Sequence, residues 1–143
     1  MRKIVLVLMM CVLAVAANAK GKQPVAFEKV PQAVQTEFQK HFKADQVQYI
    51  TFEKALGQKL YTFVLSEGTK VKYNHKAVLR KVENKDGILK ALVPEKIMQY
   101  AQKTFPNATI TEYVFGKSRK EIELNNKIEL IFTKRDKFLR IED

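Results

Sequence analysis

The sequence has very few of the residues that enzymes and metal sites use most often. It has one cysteine, Cys11, two histidines, His41 and His75, and no tryptophan. Neither histidine has a second histidine or a cysteine at the spacing of a zinc site, so we interpret both as surface residues. The five glycines are scattered and form no phosphate-binding loop, and neither Ser66 nor Ser118 has the surroundings of a nucleophilic serine. The sequence therefore predicts that the protein is not an enzyme and that it has no catalytic residues, no metal site and no cofactor.

The first 19 residues have the pattern of a secretory signal peptide. Arg2 and Lys3 precede an apolar run over residues 4–17, and Ala17-Asn18-Ala19 places small residues at positions −3 and −1 of a cleavage site. The run has 14 residues, whereas a membrane-spanning helix needs about 20. Cleavage after Ala19 is therefore favoured over a retained anchor, and no transmembrane segment is expected afterwards.

Cys11 also raises the possibility of a lipoprotein signal. Such a signal has a small residue before the cysteine, and here that residue is Met10. Removal of the segment that contains Cys11 leaves residues 20–143 without cysteine, which excludes disulfides and thiol chemistry. We expect a periplasmic or secreted protein that is held together by its core.

Basic residues outnumber acidic ones. The formal net charge of +11 becomes +9 when Arg2 and Lys3 leave with the signal peptide. This charge favours anionic partners such as membrane surfaces, acidic glycans or acidic proteins, although a simply solvated basic surface explains it too. Nucleic acid is not an expected partner, because an exported chain seldom meets it.

The sequence also contains an internal repeat. Val30-Pro31 recurs 63 residues later as Val93-Pro94, and Phe52 recurs as Phe115 at the same offset. After a gap the offset becomes 59, and Glu83 then matches Glu142. This ordered series predicts two copies of one unit, at about residues 27–84 and 90–143, within a single domain over residues 20–143.

Each copy has the same pattern of predicted elements. Pro31 and Pro94 suit the first turn of a helix, and apolar residues four apart follow both of them. Segments that alternate between apolar and polar residues come next, as in Tyr61, Phe63 and Leu65, which indicates antiparallel strands with one buried face. We therefore predict an α+β fold, a tandem repeat of a helix plus a four-stranded antiparallel meander, with the helices packed on one face of the sheet.

The alternation also assigns residues to the sheet face that no predicted helix covers. In the first copy this face has Lys70 and Lys72, and in the second copy it has Glu121, Glu123 and Glu129. These five residues are the candidate binding residues, because complementary charge can set the register of a partner. Charges on a wet sheet face can also serve solubility alone.

Glycosidase-type chemistry needs a pair of carboxylates, and Glu121 and Glu123 are the pair that the sequence offers. Solvation explains that pair equally well.

The repeated unit resembles a known family. The best matching stretch runs from Val93-Pro94 to Phe105-Pro106-Asn107-Ala108-Thr109-Ile110, and it is similar to the PepSY-like, beta-lactamase-inhibitor-like proteins of bacterial envelopes. The resemblance covers almost all of residues 27–143 and implies a secreted or periplasmic tandem domain with a concave sheet.

Two functions are compatible with these observations. The first is a non-enzymatic binding module, an inhibitor being one form of it, that engages an unknown envelope protein through the helix-free sheet face. The alternative is a module that binds anionic envelope surfaces or glycans through its net charge.

Overall fold

The structure is a computed structural model that describes residues 21–143. The predicted signal peptide, Cys11 included, lies outside the described residues. The described part contains two α-helices, α1 (Gln32–Gln39) and α2 (Glu95–Thr104), and three short 3-10 helices at Phe27–Lys29, Ala44–Gln46 and Lys90–Leu92. Its strands are β1 (Lys22–Pro24), β2 (Val47–Ala55), β3 (Gln58–Leu65), β4 (Lys70–Asn74), β5 (Leu79–Glu83), β6 (Ile110–Phe115), β7 (Arg119–Leu124), β8 (Glu129–Thr133) and β9 (Phe138–Glu142).

In residues 21–143 the nine strands belong to one sheet, and their order in the sheet follows their order in the chain. The predicted fold, a tandem repeat of a helix plus a four-stranded meander, is therefore wrong. The prediction placed the boundary between two separate meanders after β5. Instead, β5 pairs with β6, with Val82 opposite Tyr113, so the sheet continues across this boundary. This pairing satisfies backbone groups that two separate meanders would leave exposed at their edges. Strand β1 adds a ninth strand against β2, with Gln23 opposite Phe52.

The chain divides into two compact units. Of the described residues, the first unit includes those up to Ser66 together with Lys72–Val78, and the second consists of Glu67–Val71 and Leu79–Asp143. No helix within residues 21–143 has the length and apolar character needed to cross a membrane.

Aromatic rings form the core of the first unit. Helix α1 begins directly after Pro31 and buries Phe38 completely. The Phe38 ring stacks on Phe63 of β3 with a centroid distance of 4.3 Å, and Phe63 meets Tyr73 of β4 edge to face at 5.9 Å. These contacts fasten α1 to the sheet, and the area they remove from water is the main source of stability.

The Tyr73 hydroxyl is an exception in this well-packed core. Tyr73 is 1% exposed, and its hydroxyl is buried without a hydrogen-bond partner among the described residues. Burial, together with the charge of Glu37, raises the pKa of Tyr73 well above its usual value. The first unit therefore contains a polar group whose burial is uncompensated.

In the second unit, too, a helix packs on the sheet through aromatic contacts. Helix α2 begins after Pro94 and buries Ile97. Its Tyr100 stacks on Phe138 of β9 at 4.3 Å and meets Phe132 of β8 edge to face at 5.7 Å. Helix α2 therefore packs on the sheet face that carries these two phenylalanines.

A buried ion pair lies at the edge of the second core. Lys120 of β7 is 8% exposed, and its Nζ contacts Oδ1 of Asp136 at 2.6 Å. The same ammonium lies 4.8 Å from the centre of the Phe115 ring, a cation–π contact. Asp136 has a φ of 68°, in the left-handed region that aspartate and asparagine tolerate better than most residues.

Candidate binding face

The candidate site is the sheet face of the second unit that lies opposite to α2. We call it the open face and define it by the side chains that the strand register places on this side of β5–β9. It consists of Lys81, Glu83, Glu112, Val114, Glu121, Glu123, Glu129, Ile131, Arg140 and Glu142.

Strand register aligns five glutamates of the open face in one row. Each member is the direct cross-strand partner of the next, from β5 across to β9. The glutamate row consists of Glu83, Glu112, Glu123, Glu129 and Glu142. Since neighbouring strands lie about 4.8 Å apart, the row is roughly 19 Å long. Like charges that face each other across strands destabilise a sheet, so this arrangement has a cost in folding free energy.

Cations at both ends partly neutralise the row. Lys81 contacts Glu83 and Glu112, both at 3.6 Å. At the other end, Nε of Arg140 donates a hydrogen bond of 2.8 Å to Glu142.

The middle of the row is less well neutralised. Glu123 has one contact at 3.8 Å with Lys127, whose side chain is 86% exposed and therefore weakly held. Glu129 has no ion pair with any residue in 21–143. The negative potential of the row is therefore least compensated at its centre.

The pKa of Glu112 is raised by its surroundings in the row. Burial raises the pKa of its carboxyl group, Lys81 opposes this effect, and the charges of Glu83 and Glu123 together with a hydrogen bond that the protonated carboxyl donates to Glu83 add to the increase. Such a group favours the protonated form more than an isolated glutamate does.

A cleft of about 360 Å³ opens at the β5–β7 end of the row. It is lined by three glutamates of the row and by three lysines, with smaller polar residues between them. The lining residues are Gly68, Lys70, Glu83, Asn84, Lys85, Thr111, Glu112, Glu123, Asn125 and Lys127. Both signs of charge are therefore within reach of one ligand.

Asn84 fixes the wall of this cleft. Its Nδ2 donates hydrogen bonds of 3.0 Å to Glu67 and to Thr69, and its Oδ1 accepts one of 2.9 Å from the backbone N–H of Asp86. Because Asn84 and Thr69 are both buried, these bonds hold the loop before β4 against the loop after β5. The cleft is thus built on a rigid polar anchor.

The five residues predicted from sequence fall into three groups. Glu123 and Glu129 are in the row, and Glu121 lies beside it, bound to Arg119 at 2.7 Å. Lys70 belongs to the same unit and lies 4.0 Å from Glu83. Lys72 belongs to the first unit, where it contacts Glu53 at 3.4 Å.

Sequence reasoning did not identify three members of the row, Glu83, Glu112 and Glu142. The match between Glu83 and Glu142 in the repeat was visible, but only the register shows that both extend the row. Ile131 belongs to the open face by its register but is 0% exposed. Its register partners, Glu121 and Arg140, flank it on both sides.

The described residues offer no ready metal centre. Within residues 21–143, no group of three or more histidine, cysteine, aspartate or glutamate side chains is arranged to hold a metal ion.

Comparison with known proteins places this chain among bacterial envelope proteins. A family model described as "Putative beta-lactamase-inhibitor-like, PepSY-like" matches residues 17–81 and, again, residues 59–140. The family resemblance predicted from sequence is confirmed. A search of the curated proteins found no match.

Several solved structures have the same fold. A protein of the DUF2874 family from Bacteroides vulgatus ATCC 8482, described as a "putative periplasmic protein", has a TM-score of 0.79 at 24% identity, covering 88% of this chain and 100% of its own. A protein from Bacteroides thetaiotaomicron, described as a "putative calcium-regulated periplasmic protein", has a TM-score of 0.79 at 25% identity with the same coverage. A second Bacteroides vulgatus protein, described as periplasmic and of unknown function, has a TM-score of 0.77 at 23% identity, covering 86% of this chain and 100% of its own. The predicted periplasmic or secreted location agrees with all three and is confirmed.

Proposed function

Because the chain belongs to the PepSY-like, beta-lactamase-inhibitor-like family, we propose that it is a non-enzymatic envelope protein that binds a protein partner through its open face. The observation that carries this proposal is the glutamate row. Five of the chain's 15 acidic residues stand in one line on a protein whose net charge is +11. A strongly basic protein that concentrates its acids at one place has a surface suited to a cationic segment.

The spacing of the row favours a helical partner. Its carboxylates are about 4.8 Å apart along the row. Lysine or arginine residues three or four apart on a helix are about 4.5–6 Å apart along its axis. Side chains on one face of an extended strand are about 6.7 Å apart, which matches the row less well. We therefore expect a basic helix to lie along the row, with its charges opposite successive glutamates.

A designed peptide of defined charge tests this proposal directly. The probe is a fluorescent helical peptide with lysines at positions i, i+3 and i+7, and its matched control has glutamates at those positions. We expect the lysine peptide to bind and its affinity to fall as salt is raised, since exposed charges are screened. The double variant Glu123→Lys/Glu129→Lys removes the least compensated charges and should weaken binding about tenfold or more.

Two comparisons make the result decisive. Glu28→Lys, an exposed residue of the first unit, changes the net charge by the same amount per substitution and should have little effect. The proposal fails if Glu28→Lys weakens binding as much as Glu123→Lys does, or if the glutamate peptide binds as well as the lysine peptide.

Binding to an anionic surface is the second candidate function, and the net charge of +11 favours it. The cleft lysines Lys70, Lys85 and Lys127 would contribute to such binding. Sedimentation with phosphatidylglycerol vesicles should then decrease in the triple glutamate variant of these lysines and increase in Glu123→Lys/Glu129→Lys, which adds positive charge. Vesicle binding that does not respond to salt would contradict this second function.

A further inference from the structure

Strand β9 is an edge strand with exposed apolar side chains. Of the strands in residues 21–143, β1 and β9 stand at the two ends of the sheet. An edge strand presents unpaired N–H and C=O groups to any chain that can pair with it. Two side chains of β9 are apolar and half-exposed, Leu139 at 50% and Ile141 at 49%.

The opposite edge differs in the features that prevent pairing. Strand β1 has only three residues, begins with Lys22 and ends with Pro24, which has no N–H to donate. Strand β9 has five residues and contains neither proline nor lysine. Its protective features are the bulge at Leu139, which has no partner on β8, and the opposite charges of Arg140 and Glu142. Residues Arg140 to Glu142 beyond the bulge are therefore free to pair as a regular strand.

We propose that β9 pairs with β9 of a second copy of this chain, antiparallel and centred on Ile141. A two-fold axis perpendicular to the sheet through Ile141 places Ile141 opposite its own copy. It also places Arg140 opposite Glu142 of the second copy, and Glu142 opposite Arg140 of that copy. Two ion pairs and one apolar pair then form at once, which is the self-complementarity that a two-fold interface requires.

Charge selects this register over its neighbours. Centring the pair on Arg140 places two arginines opposite each other, and centring it on Glu142 does the same with two glutamates. Like charges directly opposite across strands are destabilising. Arg140 and Glu142 already lie on one face of β9, with Nε and Oε1 2.8 Å apart. Pairing about Ile141 therefore extends an existing ion pair into an alternating group of four charges.

The dimer also continues the glutamate row. Glu142 is the last member of the row, and Arg140 of the second copy would lie beside it. A pair of strands buries less area than a standard protein–protein interface, so we expect weak association, with a dissociation constant on the order of 10 µM to 1 mM. The prediction concerns β9 alone, so it can fail while the peptide binding proposed above remains, and the reverse is equally possible.

Cysteine cross-linking tests the register directly. The full chain is expressed with Cys11→Ser and purified from the host envelope. Residues directly opposite across antiparallel strands have Cβ atoms about 4.5–5.5 Å apart, close to disulfide geometry. Ile141→Cys should therefore form a disulfide-linked dimer under mild oxidation. Leu139→Cys is the matched control, because Leu139 is equally exposed but lies opposite Asp143 of the second copy, and it should cross-link at least about tenfold more slowly. Equal rates, or no cross-link at Ile141→Cys, would overturn the proposal.

Charge exchange provides an independent readout by sedimentation velocity. Arg140→Glu and Glu142→Arg should each abolish the concentration-dependent dimer, and the double variant Arg140→Glu/Glu142→Arg should restore it. Lys117→Glu, at an exposed position outside β9, is the control for net charge and should leave the dimer intact. Circular dichroism should show that the double variant is folded. A folded double variant that does not dimerise would contradict the proposal. A monomer at all concentrations in the unmodified chain would refute it as well.

Discussion

Replacing Tyr73 by phenylalanine should stabilise the protein, which is the opposite of what most core substitutions do. The Tyr73 hydroxyl is buried and has no hydrogen-bond partner among residues 21–143. A buried polar group without a partner costs about 1–3 kcal/mol, and phenylalanine removes that cost while it keeps the ring. The ring contact with Phe63, 5.9 Å between centroids, is retained. We therefore expect the free energy of unfolding to rise by about 1–2 kcal/mol, which raises Tm by about 3–8 °C for a domain of this size.

The dependence on pH gives a second, independent signature. Burial raises the pKa of Tyr73 in the folded state, whereas a tyrosine in the unfolded chain ionises near pH 10. Below pH 10 both states carry the neutral phenol, so this group adds no pH dependence. Above pH 10 the unfolded state loses the proton first, which favours unfolding by about 1.4 kcal/mol at pH 11. Tyr73→Phe is free of this loss, so its advantage over the native protein should grow between pH 10 and pH 11.

Urea unfolding at pH 7, 10 and 11 measures both effects. Tyr61→Phe is the matched control, since Tyr61 lies on neighbouring β3 in the same unit and its hydroxyl is not buried without a partner. That control should change stability by less than about 0.5 kcal/mol at pH 7. A Tyr73→Phe variant that is equally or less stable than the native protein would show that the hydroxyl is satisfied. A gap that stays constant above pH 10 would show that Tyr73 ionises in the folded state as easily as in the unfolded chain.

Substitutions test three further features of the structure. Because the pKa of Glu112 is raised in the folded state, Glu112→Gln should increase stability at pH 7, and chemical denaturation should show this gain shrinking as pH falls towards the ordinary glutamate pKa near 4.3. Asp136→Asn keeps a residue that tolerates the left-handed backbone but leaves the Lys120 ammonium buried without its charged partner. This should lower the free energy of unfolding by about 3 kcal/mol, whereas Lys120→Met should change thermal stability much less. Gly87→Ala would place a Cβ 2.8 Å from Cγ2 of Thr109 at a φ of 113°, whereas the Cβ of Gly57→Ala would meet nothing within 4 Å. Gly87→Ala should therefore lower Tm more than Gly57→Ala does. Equal decreases in Tm would show that backbone strain, and not the clash, causes the loss of stability.

Local patterns were enough to locate the helices and most strands. Pro31 and Pro94 fix the residues at which α1 and α2 begin, and the four-residue spacing of Val34 and Phe38 places them on one buried helix face. Period-two alternation likewise identified the buried side of β3 and β7. These signals are short-range, because each depends on residues within two turns of a helix or a few positions of a strand.

The sheet could not be predicted in the same way. The pairing of β5 with β6 joins residues separated by the whole of α2, and nothing in either strand specifies its neighbour. Strand β1 has three residues, too few to show alternation. Register shifts at Ile110/Glu112 and Ile131/Phe132 also change which residues face each other. Counting along the sequence therefore identified Glu123 and Glu129 as surface charges but did not place them in a row.

A cationic partner should bind most strongly at the centre of the glutamate row, where the protein's own cations neutralise the row least. Lys81 and Arg140 neutralise the two ends, so a partner's cation gains little there that the protein does not already supply. At the centre, Glu129 has no cation among the described residues and Glu123 has only a distant, solvent-exposed one. Coulomb energy depends on uncompensated charge, so a bound lysine or arginine gains most opposite these two residues. Substituting Glu123 or Glu129 should therefore change the free energy of unfolding little and weaken binding strongly, so these variants should separate binding from stability.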